Sequence, residues 1–100
     1  RKMIIFFGAL RGKDIIHMLK FLRPICKLLI PVKLSAERAL SPDKIQSIAA
    51  EQNLPCKLYS STSKALESFK KKNLSRQIIL VTGSHYTVAL FKQKKHLDNV

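Results

Sequence analysis

A chain of 100 residues with 46% apolar side chains has the size and composition of one small globular domain built on a single core. Nineteen Lys and Arg stand against six Asp and Glu, a formal net charge of +13, which makes anionic ligands or partners its natural counterparts. The longest apolar runs, Met3 to Phe7 and Leu28 to Val32, are far short of the ~20 residues a membrane span needs. The basic start meets no cleavage-type small-residue site, so no signal peptide is expected and the chain reads as cytoplasmic.

Lys2 to Phe7 is a short continuous apolar run ending at Gly8, the pattern of a strand buried on both faces of a parallel sheet. From Asp14 the apolar residues Ile15, Met18, Leu19 and Leu22 fall on one helical face, and Pro24 follows. Ile25 to Val32 is again strand-like, with Pro31 weakening its far end. Ser41-Pro42 is a helix cap followed by a first-turn proline, opening a helix whose inner stripe is Ile45, Ile48 and Ala49. Cys56 to Tyr59 predicts a short strand, and Thr62 to Lys72 a helix burying Ala65, Leu66 and Phe69. Ile78 to Val81 predicts the last strand, and Tyr86 to Phe91 the start of a last helix.

Strand followed by helix, four times over, specifies an α/β fold: a Rossmann-like three-layer domain with a mainly parallel sheet of four to six strands and helices on both faces. The chain opens directly on a strand, as an excised or C-terminal domain would. Cys26 and Cys56 lack the paired C-x-x-C spacing of a zinc site and read as reduced structural thiols. Lys70-Lys71-Lys72 and the Lys92 to Lys95 run fall at the ends of predicted helices, where cations suit the negative end of the helix dipole.

Ligands of an open parallel sheet bind at the carboxyl ends of strands, beside the point where strand order reverses. If the first strand lies beside the last, Gly8-Ala-Leu-Arg-Gly-Lys-Asp and Thr82-Gly-Ser-His-Tyr meet there. The first loop imitates a phosphate-binding P-loop and fails: Gly8 and Gly12 are one residue too close, and Asp14 stands where a hydroxyl should bind magnesium. It offers two cations, Arg11 and Lys13, and the acid Asp14 at a helix start. Asp14 and His17, three apart, share a helical face. A carboxylate suits two sugar hydroxyls and an imidazole can stack on a base, but spacing alone favours a capping Asp14 and a solvated His17. In the second loop Ser84, at the start of the predicted helix, is either a simple cap or a holder of carboxylate or phosphate. A serine nucleophile is not expected, because His85 is its immediate neighbour and projects about 100° away around a helix.

Together these segments resemble a known family. "FFGALRGKDIIHMLKFL", Phe6 to Leu22, is similar to the F-G-A-x-x-x-K-D strand, loop and helix of folylpolyglutamate synthases and bifunctional dihydrofolate synthases, members of the Mur ligase superfamily. "ALSPDKIQSIA" and "ILVTGSHYTVA", Ala39 to Ala49 and Ile79 to Ala89, resemble later segments of the same C-terminal domain in the same order. The resemblance implies that residues 1–100 are the C-terminal domain of an ATP-dependent ligase, with its N-terminal part and central ATPase domain as missing partner. The parent would phosphorylate a carboxyl of dihydropteroate or a folate, and glutamate would attack the acyl phosphate. ATP and Mg2+ are implied for the parent, and no bound cofactor is expected on the isolated domain. By position, Asp14 would bind the ribose, His17 would lie against the adenine with Lys13 nearby, and Ser84, with Arg11 and Tyr86, would serve the glutamate and folate substrates. No catalytic residue and no metal ligand are implied in this domain, so the chain alone is expected to be inactive.

Two positions depart from the pattern: Ala89-Leu90 replaces a frequent Gly-Glu, and His85 stands at a commonly apolar or aromatic position, which argues against catalysis by His85. The charge motivates a second hypothesis, a small basic nucleic-acid-binding α/β module, to be recognised by salt-dependent oligonucleotide binding with a sequence or structural preference. Phe6, Phe7 and Phe91 occupy expected core positions, leaving no aromatic and basic alternation for base stacking, so neither nucleic acid nor membrane is the expected partner. A third hypothesis, a free-standing nucleotide-binding α/β domain, is separated from the first by the length of the parent chain.

Overall fold

The computed structural model describes residues 2–12, 14–72, 78–82 and 87–90. Strand β1 is Met3–Gly8, helix α1 Ile15–Leu22, strand β2 Cys26–Pro31, helix α2 Pro42–Glu51, helix α3 Thr62–Lys71, strand β3 Ile78–Thr82 and strand β4 Thr87–Leu90. A single 3-10 turn, Arg23–Ile25, with Pro24 at its start, carries the chain from α1 into β2.

The sheet order is β2-β1-β3-β4. β1 runs parallel to both neighbours, aligned Phe6 with Ile30 on one side and Phe6 with Leu80 on the other. β1 is therefore paired on both edges, and because both of its faces are also covered it reads as an unbroken apolar run. Its side chains alternate between two layers. Ile5 and Phe7 join Ile15, Leu19 and Ile45 of α1 and α2 on one face, whereas Ile4 and Phe6 join Ile30, Ala65 and Phe69 on the other, under α3. Helices thus cover both faces of an α/β sheet.

Each helix begins where its sequence says it should. Ser41 Oγ accepts from the Lys44 N–H at 3.2 Å with Pro42 in the first turn, and Ser61 Oγ accepts from the Lys64 N–H at 3.1 Å. α2 stops in a Schellman motif: Asn53 adopts φ 58°, its N–H reaches the Ala50 carbonyl, and the Leu54 N–H reaches that of Ala49. α3 ends on Lys70 and Lys71, as dipole complementarity predicts.

The fourth repeat of the expected pattern is corrected. Thr87–Leu90 is a strand, not the start of a helix, and runs antiparallel to β3 with Thr82 opposite Thr87 and Ile79 opposite Leu90. Thr87 and Val88 are β-branched, and a four-residue apolar stretch does not distinguish strand from helix until a partner edge decides. The expected strand from Cys56 to Tyr59 is reduced to a single parallel bridge between Leu29 and Cys56. There the Leu29 N–H donates to the Pro55 carbonyl and the Lys57 N–H to that of Leu29. Cys26 and Cys56 are free, and burial pushes both thiols up to about 11. No helix among the described residues is long and apolar enough to cross a membrane.

Phe69 anchors α3, meeting Phe6 edge-on at a ring separation of 6.2 Å and Tyr59 at 6.0 Å. Because α3 buries only Ala65 and Phe69 fully, Phe69→Ala is expected to cost about 3–5 kcal/mol, against about 1 kcal/mol for the cap substitution Ser61→Ala. Urea denaturation of the two variants measures this; equal losses would show that α3 is not held by that ring.

Candidate functional site

β1 and β3 are neighbours reached from opposite sides of the sheet. The chain leaves β1 for β2, then returns past β1 to β3, so strand order reverses between them. Gly8 at the carboxyl end of β1 aligns with Thr82 at that of β3. The loop after β1 therefore lies at the position where open α/β sheets bind ligands.

That loop is held by a second segment. Gly8 has no room for a side chain: a Cβ there would lie 2.7 Å from Leu34 Cδ2 and 3.0 Å from Val32 Cγ2. The chain leaving β2 thus packs directly on the end of β1, and the Val32 N–H donates to the Phe7 carbonyl at 2.9 Å. Farther on, Leu10 and Ala39 form an antiparallel bridge, with the Leu40 N–H bonded to the Ala9 carbonyl and the Arg11 N–H to that of Arg38. Gly12 then turns with φ +89°, a left-handed conformation suited to glycine.

Between this ribbon and the helices lies a cleft of about 250 Å³, bordered by Leu10, Gly12, Ile15, Ile16, Leu40 and Ile48, with Arg11 and Asp14 supplying its polar edge. Asp14 caps α1, its Oδ1 accepting from the His17 N–H at 3.2 Å while Oδ2 meets His17 Nδ1. Both side chains remain exposed, 64% for Asp14 and 79% for His17. Asp14 takes the expected capping role and His17 is exposed as expected, but the capping carboxylate also meets the His17 side chain on their shared helical face. The hydrogen bond from the His17 side chain, then that from its backbone N–H, holds the Asp14 carboxyl below the ordinary carboxylate value. Asp14 therefore stays ionised, an acceptor with lone pairs left over for donor hydroxyls.

Among the residues expected at a site, Asp14 and Arg11 border this cleft, and His17 is held beside it through Asp14. Lys13, Ser84 and Tyr86 lie outside the described residues, as do His85 and the Lys92 to Lys95 run. Of the helix expected from Tyr86 to Phe91, residues 87–90 are instead the strand β4. Leu40, Ile48 and Arg38 are site neighbours that local sequence reading misses, because they meet the loop only through the pairing of residues 9–11 with 38–40.

Because the folded Asp14 carboxyl is held low, its contribution to stability is full above the ordinary carboxylate value of about 3.9 and is lost as pH falls through the lowered one. An NMR titration should give Asp14 a midpoint below about 3.9, and His17→Ala should move it upward. An unchanged midpoint in that variant would remove the pairing as the cause.

The chain matches no family model and no curated protein. Three solved structures do resemble it. Helicobacter pylori folylpolyglutamate synthetase is 24% identical over 83% of this chain, with a TM-score of 0.60. Mycobacterium tuberculosis folylpolyglutamate synthase complexed with ADP is 19% identical over 83%, also at 0.60. E. coli FolC in complex with DHPP and ADP is 18% identical over 99%, at 0.66. The chain spans 19%, 21% and 23% of their respective lengths. The resemblance carried by the sequence motifs therefore holds for the fold, and the chain has the architecture of a segment of folylpolyglutamate synthases about a fifth of their length.

Proposed function

We propose that the chain is the Rossmann-like C-terminal domain of an ATP-dependent ligase that joins glutamate to dihydropteroate or a reduced folate through an acyl phosphate. The observation that carries this reading is the cleft at the strand-order reversal, in a fold shared with proteins solved as complexes with ADP. Its apolar walls, Leu10, Ile15, Leu40 and Ile48, fit the flat face of a purine, and the ionised Asp14 carboxylate at its edge fits the two hydroxyls of a ribose. His17, fixed against Asp14, can lie on the base. ATP and Mg2+ belong to the parent's central domain, and this domain completes the nucleotide and glutamate pockets when it closes over them. Ser84, with Tyr86, is assigned to the incoming glutamate, and Lys13 to the nucleotide.

In this reading the isolated chain is inactive, and the enzyme acts in the cytoplasm. The alternative nucleic-acid module draws no support from Phe6 and Phe7, which are fully buried, or from Tyr59, which is engaged by Phe69 and by Lys57, whose Nζ lies 5.0 Å from its ring centre.

In the full-length enzyme Asp14→Asn should raise KM for ATP about tenfold while leaving that for glutamate within about twofold, and Ser84→Ala should do the reverse. Steady-state kinetics with each substrate varied in turn checks both. An unchanged KM for ATP in Asp14→Asn would remove the nucleotide from this cleft, and an unchanged KM for glutamate in Ser84→Ala would remove Ser84 from the glutamate pocket.

A further inference from the structure

The antiparallel register that sets Leu10 opposite Ala39 also sets Arg11 opposite Arg38, joined by the 2.7 Å bond from the Arg11 N–H to the Arg38 carbonyl. Like charges directly opposite one another on paired strands repel and destabilise the pairing. Among the described residues no ion pair offsets this. Asp14 pairs with His17 and Glu67 with Lys71, and among the described residues neither arginine is in an ion pair. Asp14, the nearest acid in sequence to Arg11, is committed to His17, and Glu37 beside Arg38 is exposed and makes no ion pair.

Arg38 Nη2 lies 3.4 Å from where a Cβ on Gly12 would be, so its guanidinium sits over the left-handed turn that follows Arg11, at the rim of the cleft. Gly12 leaves that space open. Arg11 borders the same cleft as Gly12, and two guanidinium groups carried on bonded segments at one rim can be bridged by an oxyanion, since each can donate two parallel N–H bonds to its oxygens.

We propose that Arg11 and Arg38 are the two jaws of an oxyanion clamp at the mouth of the cleft, closed by a phosphate or carboxylate group of the ligand. The clamp rests on the reading of this edge as the ligand site, but is read from this chain alone and does not depend on the ligase chemistry. A phosphate would come from the nucleotide and a carboxylate from the amino-acid substrate.

The test is an NMR titration of the 100-residue chain at fixed ionic strength, with inorganic pyrophosphate and, separately, L-glutamate, following the Nε–H signals of Arg11 and Arg38 and the amide of Gly12. Both arginine signals should move together and saturate with one of the probes, and the probe that saturates identifies the group held. Arg11→Gln and Arg38→Gln should each weaken that binding about tenfold, and Lys27→Gln, which removes the same charge from β2, by less than about twofold. Without ligand, Arg38→Gln should melt higher than the parent chain, because it relieves the repulsion. Saturation with neither probe, equal weakening by Lys27→Gln, or a lower melting temperature for Arg38→Gln would overturn the clamp. Failure of Asp14→Asn to affect ATP use would sink the nucleotide reading and leave the clamp standing.

Discussion

β1 hydrogen-bonds to β2 along one edge and to β3 along the other, and its alternating side chains fill both layers between sheet and helices. Ile4, Ile5, Phe6 and Phe7 are at most 2% exposed, so four consecutive residues tie the elements of both layers to one strand. α1 and α2 are held through Ile5 and Phe7, and α3 through Phe6. The same strand delivers Gly8 and the loop after it to the sheet edge where order reverses, so the position of the cleft is a by-product of how the core is filled. A substitution that loosens β1 would move the site as well as the core.

The parts legible in the sequence are those whose cause is local. A continuous apolar run from Met3 to Phe7 can only be a strand shielded on both faces, and Ser41-Pro42 carries its own hydrogen-bond acceptor and fixed φ. Asp14 as the cap of α1 follows from the same logic. What escaped is non-local. Thr87–Leu90 is a strand because β3 offers it an edge, and nothing within those four residues says so. Cys56 stops at one bridge because its neighbour Pro55 has no N–H to continue a ladder. Arg38 becomes a neighbour of Arg11 only when residues far apart in the chain pair, so no motif reports it.

The net charge of +13 is not spread as a uniform coat. Lys70 and Lys71 close α3, where they oppose the helix dipole, and the exposed Lys71 with Glu67 at 3.8 Å is a pair of the kind that contributes little to stability. Lys57 rests on Tyr59. Arg11 and Arg38 differ from these because a backbone hydrogen bond beside the isolated Leu10–Ala39 bridge brings their residues together, whatever the freedom of the two long side chains.

The outer edge of β2 carries a consequence of another kind. An open parallel edge is a template on which a second chain can add a strand, and this one is occupied along its middle by the short passage through Pro55, Cys56 and Lys57. Proline cannot extend that pairing, Lys27 places a charge on the same strand, and Pro31 ends it without a donor. A bridge too short to count as a strand thus acts as a stopper. It ends the sheet on that side and keeps a chain so rich in apolar β-sequence from propagating through its own edge.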